Sequence, residues 1–381
     1  MKNIVSGSPR TALACALLGL GLLAGGAVLT LALAEPLATP SRQSARADKS
    51  LLVALAASDN RLVAAGERGI VLYSDNGGAK WQQAQVPVSV NLAALHFSGA
   101  RGWAVGHDGV VLHSADGGKS WSKQLDGNAL NAMLIDTASK AVERAQARLD
   151  AAPNDEIARA ALTAASNALE DSKAGAKFGP SRPLLSVWFR DQSEGYAVGA
   201  FGQAIRTTDG GDHWQDMAGG IANPDGLHLN YVGPGANGAV LAAGEGGKIY
   251  RSTNGGAGWQ TLATGYTGQL YGVVDTGGDS LLAYGFGGNV LRSDDGGKQW
   301  KTLPRQTGKS LVAAVRTAGG LSLVARDGTV LRSTDAGRSF TVQPSGHALE
   351  LASAIESAPG RLLAGGVGGI HPISTTGAKQ P

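Results

Sequence analysis

Short apolar runs separated by Gly, Asp and Asn occur along most of the chain. Between residues 92 and 125 the runs are LAALHF, GWAVG, VVLHS and SWSKQL. This pattern is typical of four short antiparallel strands joined by tight turns. We name these strands a, b, c and d in chain order.

The region spanning strands c and d is repeated. A phrase of 16 residues, beginning with GERGIVLYSDNGGAKW and GHDGVVLHSADGGKSW, occurs six times and ends each time in an aromatic residue. These aromatic residues recur after 40, 93, 45, 41 and 40 positions. A period of about 40 residues indicates one four-stranded propeller blade per repeat. The interval of 93 indicates one blade plus an insertion.

A seventh, incomplete repeat follows the sixth. AGGVGGIHPISTTG at residues 364–377 aligns with the first phrase but contains no strand d. An open sheet edge invites unwanted pairing, so we expect residues 36–46 to supply the missing strand. The sequence therefore predicts an all-β fold, a seven-bladed β-propeller over residues 35–381 that is closed by its own N-terminal segment.

The insertion has helical periodicity. Apolar residues recur every three or four positions on both sides of Ala-Pro-Asn-Asp at 152–155, which predicts a helical hairpin over residues 128–180. Asn154 is the expected N-cap of the second helix. The predicted facing residues are Leu134, Ala138, Ala141, Ala145 and Leu149 in the first helix, and Ile157, Ala161, Ala164 and Ala168 in the second. The hairpin is either a docking arm or a solvated spur.

The N-terminal residues resemble an export signal. Lys2 and Arg10 precede an uncharged apolar run over residues 11–34 that ends in Ala-Leu-Ala. Residues 1–34 are therefore either a cleaved signal peptide or a membrane anchor long enough to span a bilayer. Both readings place the propeller in the periplasm or in a compartment resembling the thylakoid lumen.

Composition limits the other functional classes. The net charge of +3 includes Lys2 and Arg10, and the remaining chain is almost balanced, so nucleic acid is not an expected partner. Cys15 is the only cysteine and precedes the propeller, which excludes thiolate metal sites there. We expect no metal and no cofactor.

The most conserved part of the phrase, S/T-x-D/N-G-G-x-x-W, is the Asp-box. Its carboxylate or amide can accept backbone N–H groups of the turn between strands c and d, and its aromatic residue can cover that turn. Asn cannot act as an acid or base, and two boxes contain Asn, which favours an architectural role over catalysis or calcium binding. The predicted structural residues are Asn76, Asp116, Asp209, Asn254, Asp295 and Asp335, with Trp81, Trp121, Trp214, Trp259, Trp300 and Phe340.

The chain resembles the Asp-box repeat propellers, which include sialidases. A sialidase would bring an arginine triad and a tyrosine nucleophile with a glutamate partner. The arginines that repeat here, Arg206, Arg251, Arg292 and Arg332, occupy one blade position, which instead suggests packing along strand c.

A closer resemblance, over residues 50–375, is to the photosystem II stability and assembly factor family. It depends on strings such as GWAVGHDGVVLHSADGGKSW and GYAVGAFGQAIRTTDGGDHW. The resemblance implies an exported, non-catalytic assembly or docking factor.

The turns from strand b to strand c differ between blades, whereas the box turns hardly differ. Variation over a constant scaffold suggests that the b-to-c face binds a partner. The hairpin, as a link from strand d to the next strand a, should lie on the same face. We therefore predict a monomeric scaffold or assembly factor for a membrane or envelope protein complex; the alternative is a sialidase-like hydrolase or carbohydrate-binding propeller. The predicted partner-binding residues are Glu67, Arg68, His107, Asp108, Phe201, Glu245, Phe286, Arg326 and Asp327.

Overall fold

Seven antiparallel sheets form the blades of a β-propeller in the computed structural model, which describes residues 35–317, 319–344 and 350–374. Each sheet follows chain order, so every blade is a simple meander. Blade one comprises β1 (Leu52–Ser58), β2 (Arg61–Gly66), β3 (Val71–Ser74) and β4 (Gln82–Gln83). Blade two comprises β5 (Leu92–Ser98), β6 (Arg101–Gly106), β7 (Val111–Ser114) and β8 (Ser122–Leu125).

The remaining blades repeat this order. Blade three comprises β9 (Leu184–Phe189), β10 (Gly195–Gly199), β11 (Ala204–Thr207) and β12 (Gln215–Asp216). Blade four comprises β13 (Leu229–Pro234), β14 (Val240–Gly244), β15 (Ile249–Ser252) and β16 (Gln260–Leu262). Blade five comprises β17 (Leu270–Gly277), β18 (Ser280–Gly285), β19 (Val290–Ser293) and β20 (Lys301–Thr302). Blade six comprises β21 (Leu311–Thr317), β22 (Gly320–Ala325), β23 (Val330–Ser333) and β24 (Thr341–Gln343). Blade seven comprises β25 (Leu351–Ala358), β26 (Arg361–Gly366) and β27 (Gly369–Ser374).

The first strands of neighbouring blades contact one another around the whole ring, and β25 contacts β1. They surround an axial channel of about 550 Å³. Strand b of every blade is almost completely buried, because both of its faces meet neighbouring sheets. The predicted all-β, seven-bladed fold with Asp-box turns is confirmed.

Apolar clusters join successive blades and account for most of the core. Each cluster contains strand-b residues of one or two blades and, at five junctions, the box aromatic of the following blade. Trp103, which is fully buried, stacks on Phe189 with ring centroids 3.5 Å apart across the junction of blades two and three. Such contacts between sheets, rather than a central core, hold the ring together.

No strand pairing among the described residues joins residues 36–46 to blade seven, so their closing of that blade stays a prediction. Within the described residues blade seven has three strands, and residues 36–46 contact blade one instead. Ser41 N–H donates to the Val86 carbonyl at 3.0 Å, and Leu37 is buried in the cluster between blades one and two. Pro36 and Pro40 lack the N–H groups that a regular ladder requires, which disfavours a strand in this segment.

The predicted helical hairpin is present, with α1 at Gly127–Ala151 and α2 at Glu156–Ala176. The N-cap of α2 is Asp155 rather than Asn154, because the Asp155 carboxylate accepts the N–H groups of Ile157 and Ala158. The facing stripe of α2 is displaced from the predicted one. Ile157, Ala164 and Ala168 are exposed, and the covered positions include Ala158, Leu162, Ala165 and Leu169.

The predicted signal peptide or anchor at residues 1–34 lies outside the described residues. Within the described ranges, neither α1 nor α2 is both long and apolar enough to cross a membrane.

Candidate docking face

The six box turns form one repeated hydrogen-bond network. In blade two the Ser114 hydroxyl donates to Asp116 Oδ1 at 2.8 Å, and the same oxygen accepts the Ser120 N–H at 3.0 Å. The Gly118 N–H donates to Ser114 Oγ, and the Trp121 indole donates to the Gly118 carbonyl. Corresponding side-chain oxygens accept turn N–H groups in the other five boxes, at Asn76, Asp209, Asn254, Asp295 and Asp335. Asn and Asp make the same contacts, so these side chains act as turn caps.

The b-to-c turns and the links that precede each strand a lie side by side. In all seven blades the first turn residue donates its N–H to the carbonyl just before strand a of the same blade, over 2.8–3.0 Å. We call this surface the hairpin face, because the link between β8 and β9 contains the hairpin. The donors are Glu67, His107, Ala200, Glu245, Phe286, Arg326 and Val367.

Exposed apolar side chains are concentrated on the hairpin face. Of the seven large apolar side chains that are exposed among the described residues, only Val342 lies elsewhere. Phe201 and Phe286 were predicted from the sequence as partner-binding residues, whereas Leu51, Phe178 and Val367 were not. Ile157 was expected to face the first helix, and it is exposed instead.

Phe201 combines exposure with an unfavourable backbone. Its side chain is 59% exposed and its φ is +56°. The equivalent positions in blades four and five are Gly246 and Gly287, which adopt this left-handed conformation without a Cβ clash. A non-glycine residue there costs about 1–2 kcal/mol. The fold alone does not account for a bulky aromatic residue at this position.

Two of the predicted partner-binding acids also stabilise the scaffold. Glu67 Oε1 accepts the Leu51 N–H at 2.9 Å, and Glu245 Oε2 accepts the His228 N–H at 2.8 Å. These bonds and contacts to His228 hold the pKa of Glu245 below its usual range. The two carboxylates therefore cap the start of strand a, in addition to lying on the face.

The other predicted charged residues are more available to a partner. Arg68, His107 and Arg326 are exposed, and Arg326 lies 3.8 Å from a Glu350 carboxylate oxygen. Asp108 is half-buried, and the loss of solvent raises the pKa of its carboxyl. This mixture of charges and aromatic residues suits a protein partner better than a polyanion.

The hairpin is firmly attached to the propeller. Leu130 of α1 is only 1% exposed and packs in the cluster that contains Trp103 and Leu184. Asn131 Nδ2 donates to the Gly179 carbonyl at 3.1 Å, which ties the start of α1 to the end of the hairpin. The base of the hairpin is therefore an ordered part of the junction between blades two and three.

The N-terminal segment also lies on the hairpin face, beside the base of the hairpin. The Ser41 hydroxyl donates to the Arg68 carbonyl in the b-to-c turn of blade one. Lys123 Nζ donates to the Leu37 carbonyl at 3.2 Å and to the Asp126 carboxylate at 2.8 Å. The described chain thus begins on the surface that bears the exposed aromatic residues.

A tyrosine–glutamate pair is present in blade three, but its surroundings do not favour a catalytic nucleophile. Tyr196 is fully buried and its hydroxyl donates to Glu194, which also pairs with Arg190. Burial and the Glu194 contact raise the pKa of Tyr196 above its ordinary value. The pair packs against Gly255 and Gly256 in the box turn of blade four, and the Tyr196 side chain has no exposed surface at which to attack a glycoside. Within the described ranges, no group of three or more His, Cys, Asp or Glu side chains could hold a metal ion.

The repeated arginines connect blades. Arg206 donates to the Gly255 carbonyl at 2.8 Å, Arg251 to Gly296 at 3.0 Å, and Arg292 to Ala336. Each acceptor follows the box Asp or Asn of the next blade. These three arginines therefore lie at different blade junctions and do not converge on one substrate site.

Comparison with solved structures agrees with this architecture. A structure described as "YCF48 bound to D1 peptide" is 17% identical, with a TM-score of 0.59, and the match covers 86% of this chain and 94% of the other. YCF48 from Cyanidioschyzon merolae is 15% identical, with a TM-score of 0.57, over 88% and 98% of the two chains. The WD40 propeller of Doa1 is 10% identical, with a TM-score of 0.58, over 90% and 97%. At these identities the likeness shows the fold alone.

The sequence comparison is more specific. No curated protein matches the chain. The model of the family described as "Photosynthesis system II assembly factor YCF48" matches residues 44–144 and 176–326, and so omits most of the hairpin. These matched residues include five complete Asp-box phrases and most of the b-to-c turns. The chain therefore belongs to the photosynthesis system II assembly factor YCF48 family.

Proposed function

We propose that the protein is an exported, non-catalytic assembly or stability factor that docks onto a membrane or envelope protein complex through the hairpin face. The observation that carries this proposal is Phe201, an exposed aromatic residue in a left-handed backbone conformation, at a position where blades four and five have glycine and blades one and two have the polar residues Arg68 and Asp108. Strain that the fold does not require suggests a functional role for the side chain. Phe286 and Val367 are exposed at the b-to-c turns of blades five and seven, and Phe178 is exposed just after α2.

Family membership supports the assembly role, and one structural neighbour is bound to a D1 peptide. We extend to this chain only the class of partner, a component of a membrane protein complex. The attachment of the N-terminal segment suits such a partner. If the apolar run at residues 11–34 remains in place as an anchor, it tethers the propeller to the membrane that holds the complex. N-terminal sequencing of the exported protein distinguishes this case from cleavage after Ala34.

The test is a quantitative crosslinking pull-down from native membranes. The hairpin variant replaces residues 137–170 with a short Gly-Ser linker, because Leu130, Asn131 and Gly179 at the base must remain to preserve the fold. The face variant carries Phe201→Ser and Phe286→Ser. We expect both variants to recover much less of the complex that the intact chain captures.

A matched control carries Lys119→Ser and Lys298→Ser, two exposed substitutions in box turns on the opposite face. It should recover the complex as well as the intact chain does. Equal recovery by the face variant and the intact chain would overturn the proposed docking face. Recovery of no complex by any form would contradict the assembly role itself.

A further inference from the structure

The axial channel has two unlike walls. Blades six, seven, one and two border it mainly with small side chains, including Ala54, Ala93, Ala314 and Ala352. Blades three, four and five border the other side with the rings of Trp188, Tyr231 and Tyr271. Because the alanines are small, space remains between them and the rings, and the channel has one aromatic wall and one aliphatic wall.

Two glycines allow tyrosine rings to line this channel. A Cβ atom at Gly233 would lie 2.1 Å from the hydroxyl oxygen of Tyr231, and one at Gly272 would lie 2.3 Å from that of Tyr284. An alanine at either position would therefore displace a ring. In blades one, two and six the residue equivalent to Gly272 is alanine. The aromatic wall is thus a feature of blades three to five and not a consequence of the repeat.

Several polar groups in the channel have hydrogen-bonding capacity that the fold does not use. His96 Nδ1 accepts the Phe189 N–H at 3.2 Å, so the neutral ring carries its proton on Nε2, which bonds to no described residue. Ser186 Oγ accepts a backbone N–H of blade four, which leaves its own proton to donate. Asn230 Nδ2 donates to a carbonyl of blade five at 3.0 Å, and its Oδ1 has no partner among the described residues.

The Tyr231 hydroxyl has the largest unused capacity. It makes no hydrogen bond to any described residue, although burial raises the pKa of this tyrosine above its ordinary value. A hydroxyl that is removed from bulk water and left without a partner costs free energy, which a bound molecule could recover.

The interior of the channel is uncharged. Among the described residues that line it, only Arg326 has a permanent charge, and Arg326 is exposed on the hairpin face beside Glu350. Burial lowers the pKa of His96 to about 4, so its ring is neutral at neutral pH. An ion in the interior would lose water without gaining an opposite charge, so the channel favours a neutral molecule. The position of Arg326 shows that the channel reaches the hairpin face.

We propose that the axial channel binds a small neutral aromatic molecule with a hydrogen-bonding oxygen. The ring packs between the aromatic and aliphatic walls, and the oxygen accepts the Tyr231 hydroxyl. The volume of about 550 Å³ lies within the range of about 300–1,000 Å³ for small-molecule sites, which are usually apolar cavities with a few polar groups. This site does not depend on the proposed docking function.

The chain's own undescribed residues fit this site less well. The apolar run at residues 11–34 has few groups that could bond to the polar side chains of the channel. The described chain ends at Ser374 in β27, which is separated from the channel by β26 and β25. A separate molecule that carries both a ring and an oxygen matches both kinds of lining group.

The probe is 2-naphthol, a neutral fused ring with one hydroxyl group, and the control ligand is 2-naphthalenesulfonate, which has the same ring and a charge. Binding to the full chain is measured by equilibrium dialysis at neutral pH. Every variant is prepared in the same way, so that uptake by the apolar run at residues 11–34 is common to all. We expect 2-naphthol to bind at least about tenfold more tightly than the sulfonate.

Two kinds of variant locate the probe. Tyr231→Phe keeps the ring and removes the hydroxyl, and it should weaken binding about three- to tenfold. Its matched control is Tyr73→Phe, since the Tyr73 hydroxyl bonds to Gln82 in the outer part of blade one, and this variant should bind as the intact chain does. Ala93→Phe with Ala352→Phe fills the channel and should weaken binding at least about tenfold. If circular dichroism shows that the double variant does not fold, either single variant replaces it.

The variant with the shortened hairpin should bind 2-naphthol as tightly as the intact chain, which separates this site from the docking function. Equal uptake by the intact chain and the filled variants would overturn the proposal, because the probe would then lie outside the channel. No uptake by the full chain would also overturn it, whether or not residues 1–34 or 345–349 cover the channel. Equal affinity for the sulfonate, or unchanged binding by Tyr231→Phe, would contradict the proposed chemistry of the ligand.

Discussion

Trp103 of blade two donates its indole N–H to the carbonyl of Gly210 in the box turn of blade three, over 2.9 Å. At later junctions an arginine on strand c bonds to the equivalent carbonyl, as Arg251 does to Gly296. At the first junction Arg61 fills the role from strand b and reaches the Gly117 carbonyl at 3.2 Å. The equivalent box-turn carbonyl thus accepts a hydrogen bond from different donors at different junctions. We infer that the fold requires the bond between blades but not a particular donor residue.

Replacing Arg251 with methionine should lower the free energy of unfolding by about 1–3 kcal/mol, because the substitution removes a charged donor from a partly buried carbonyl. Methionine keeps most of the aliphatic packing. Urea denaturation measures the change. Arg42→Met, at an exposed position in the N-terminal segment, is the control and should have an effect within about 0.5 kcal/mol. Equal effects of the two substitutions would show that the bond between blades contributes nothing.

Asp209 should make stability depend on pH under acidic conditions. Hydrogen bonds from His213 and Thr207 lower its pKa from 3.8 to about 2. Because the folded-state pKa is lower than the unfolded one, the stabilisation is present above pH 3.8 and is lost as pH falls through about 2. Asp209→Asn should therefore lose less stability than the wild type over this window. The measurement is the urea midpoint between pH 5 and pH 2.

The reverse substitution is the control for Asp209. Asn76→Asp should introduce a similar acid dependence at a box that does not titrate in the wild type, because Oδ1 there already accepts the Lys80 N–H. If neither substitution changes how the urea midpoint decreases between pH 5 and pH 2, the box carboxylates do not determine stability in acid.

His96 should make stability depend on pH in a higher range. It lines the axial channel, its Nδ1 accepts the Phe189 N–H, and burial lowers its pKa from 6.5 to about 4. As the pH is lowered, His96 takes up a proton in the unfolded chain before it does so in the folded chain. The free energy of unfolding should therefore fall as the pH decreases from 6.5 to about 4. Part of the ring faces the channel, so we expect a loss of about 1–2 kcal/mol, less than the full shift would give. In His96→Gln this decrease should be absent, and an unchanged decrease would assign it to other groups.

Phe201→Gly should stabilise the propeller and weaken docking. Glycine relieves the positive φ, which should raise the free energy of unfolding by about 1 kcal/mol. The exposed ring is lost, so recovery of the membrane complex should decrease. Phe201→Tyr separates the two effects, since it keeps the ring and the strain and should resemble the wild type in both assays. Stabilisation without any loss of binding would remove Phe201 from the docking surface.

The repeat made the ring predictable, because six phrases of constant length fix the strands, the turns and the period together. The exceptions were harder to predict. The path of residues 36–46 depends on Leu37 and Ser41 finding partners in blade one, and no local pattern encodes that choice. The stripe of α2 was displaced because alanine occurs on both sides of the helix, so the sequence does not mark the packed side. The exposed apolar residues of the hairpin face were only partly predicted for a related reason, since Phe178 belongs to no repeat.

The hairpin gives this ring an angular reference. Seven similar blades would present nearly the same surface after each rotation by one blade. A partner could then bind the propeller in several equivalent orientations. An arm fixed between blades two and three removes that equivalence. A partner that contacts both the hairpin and the propeller can therefore bind in only one rotational orientation. A fold built from repeated blades can in this way still bind its partner in a unique orientation.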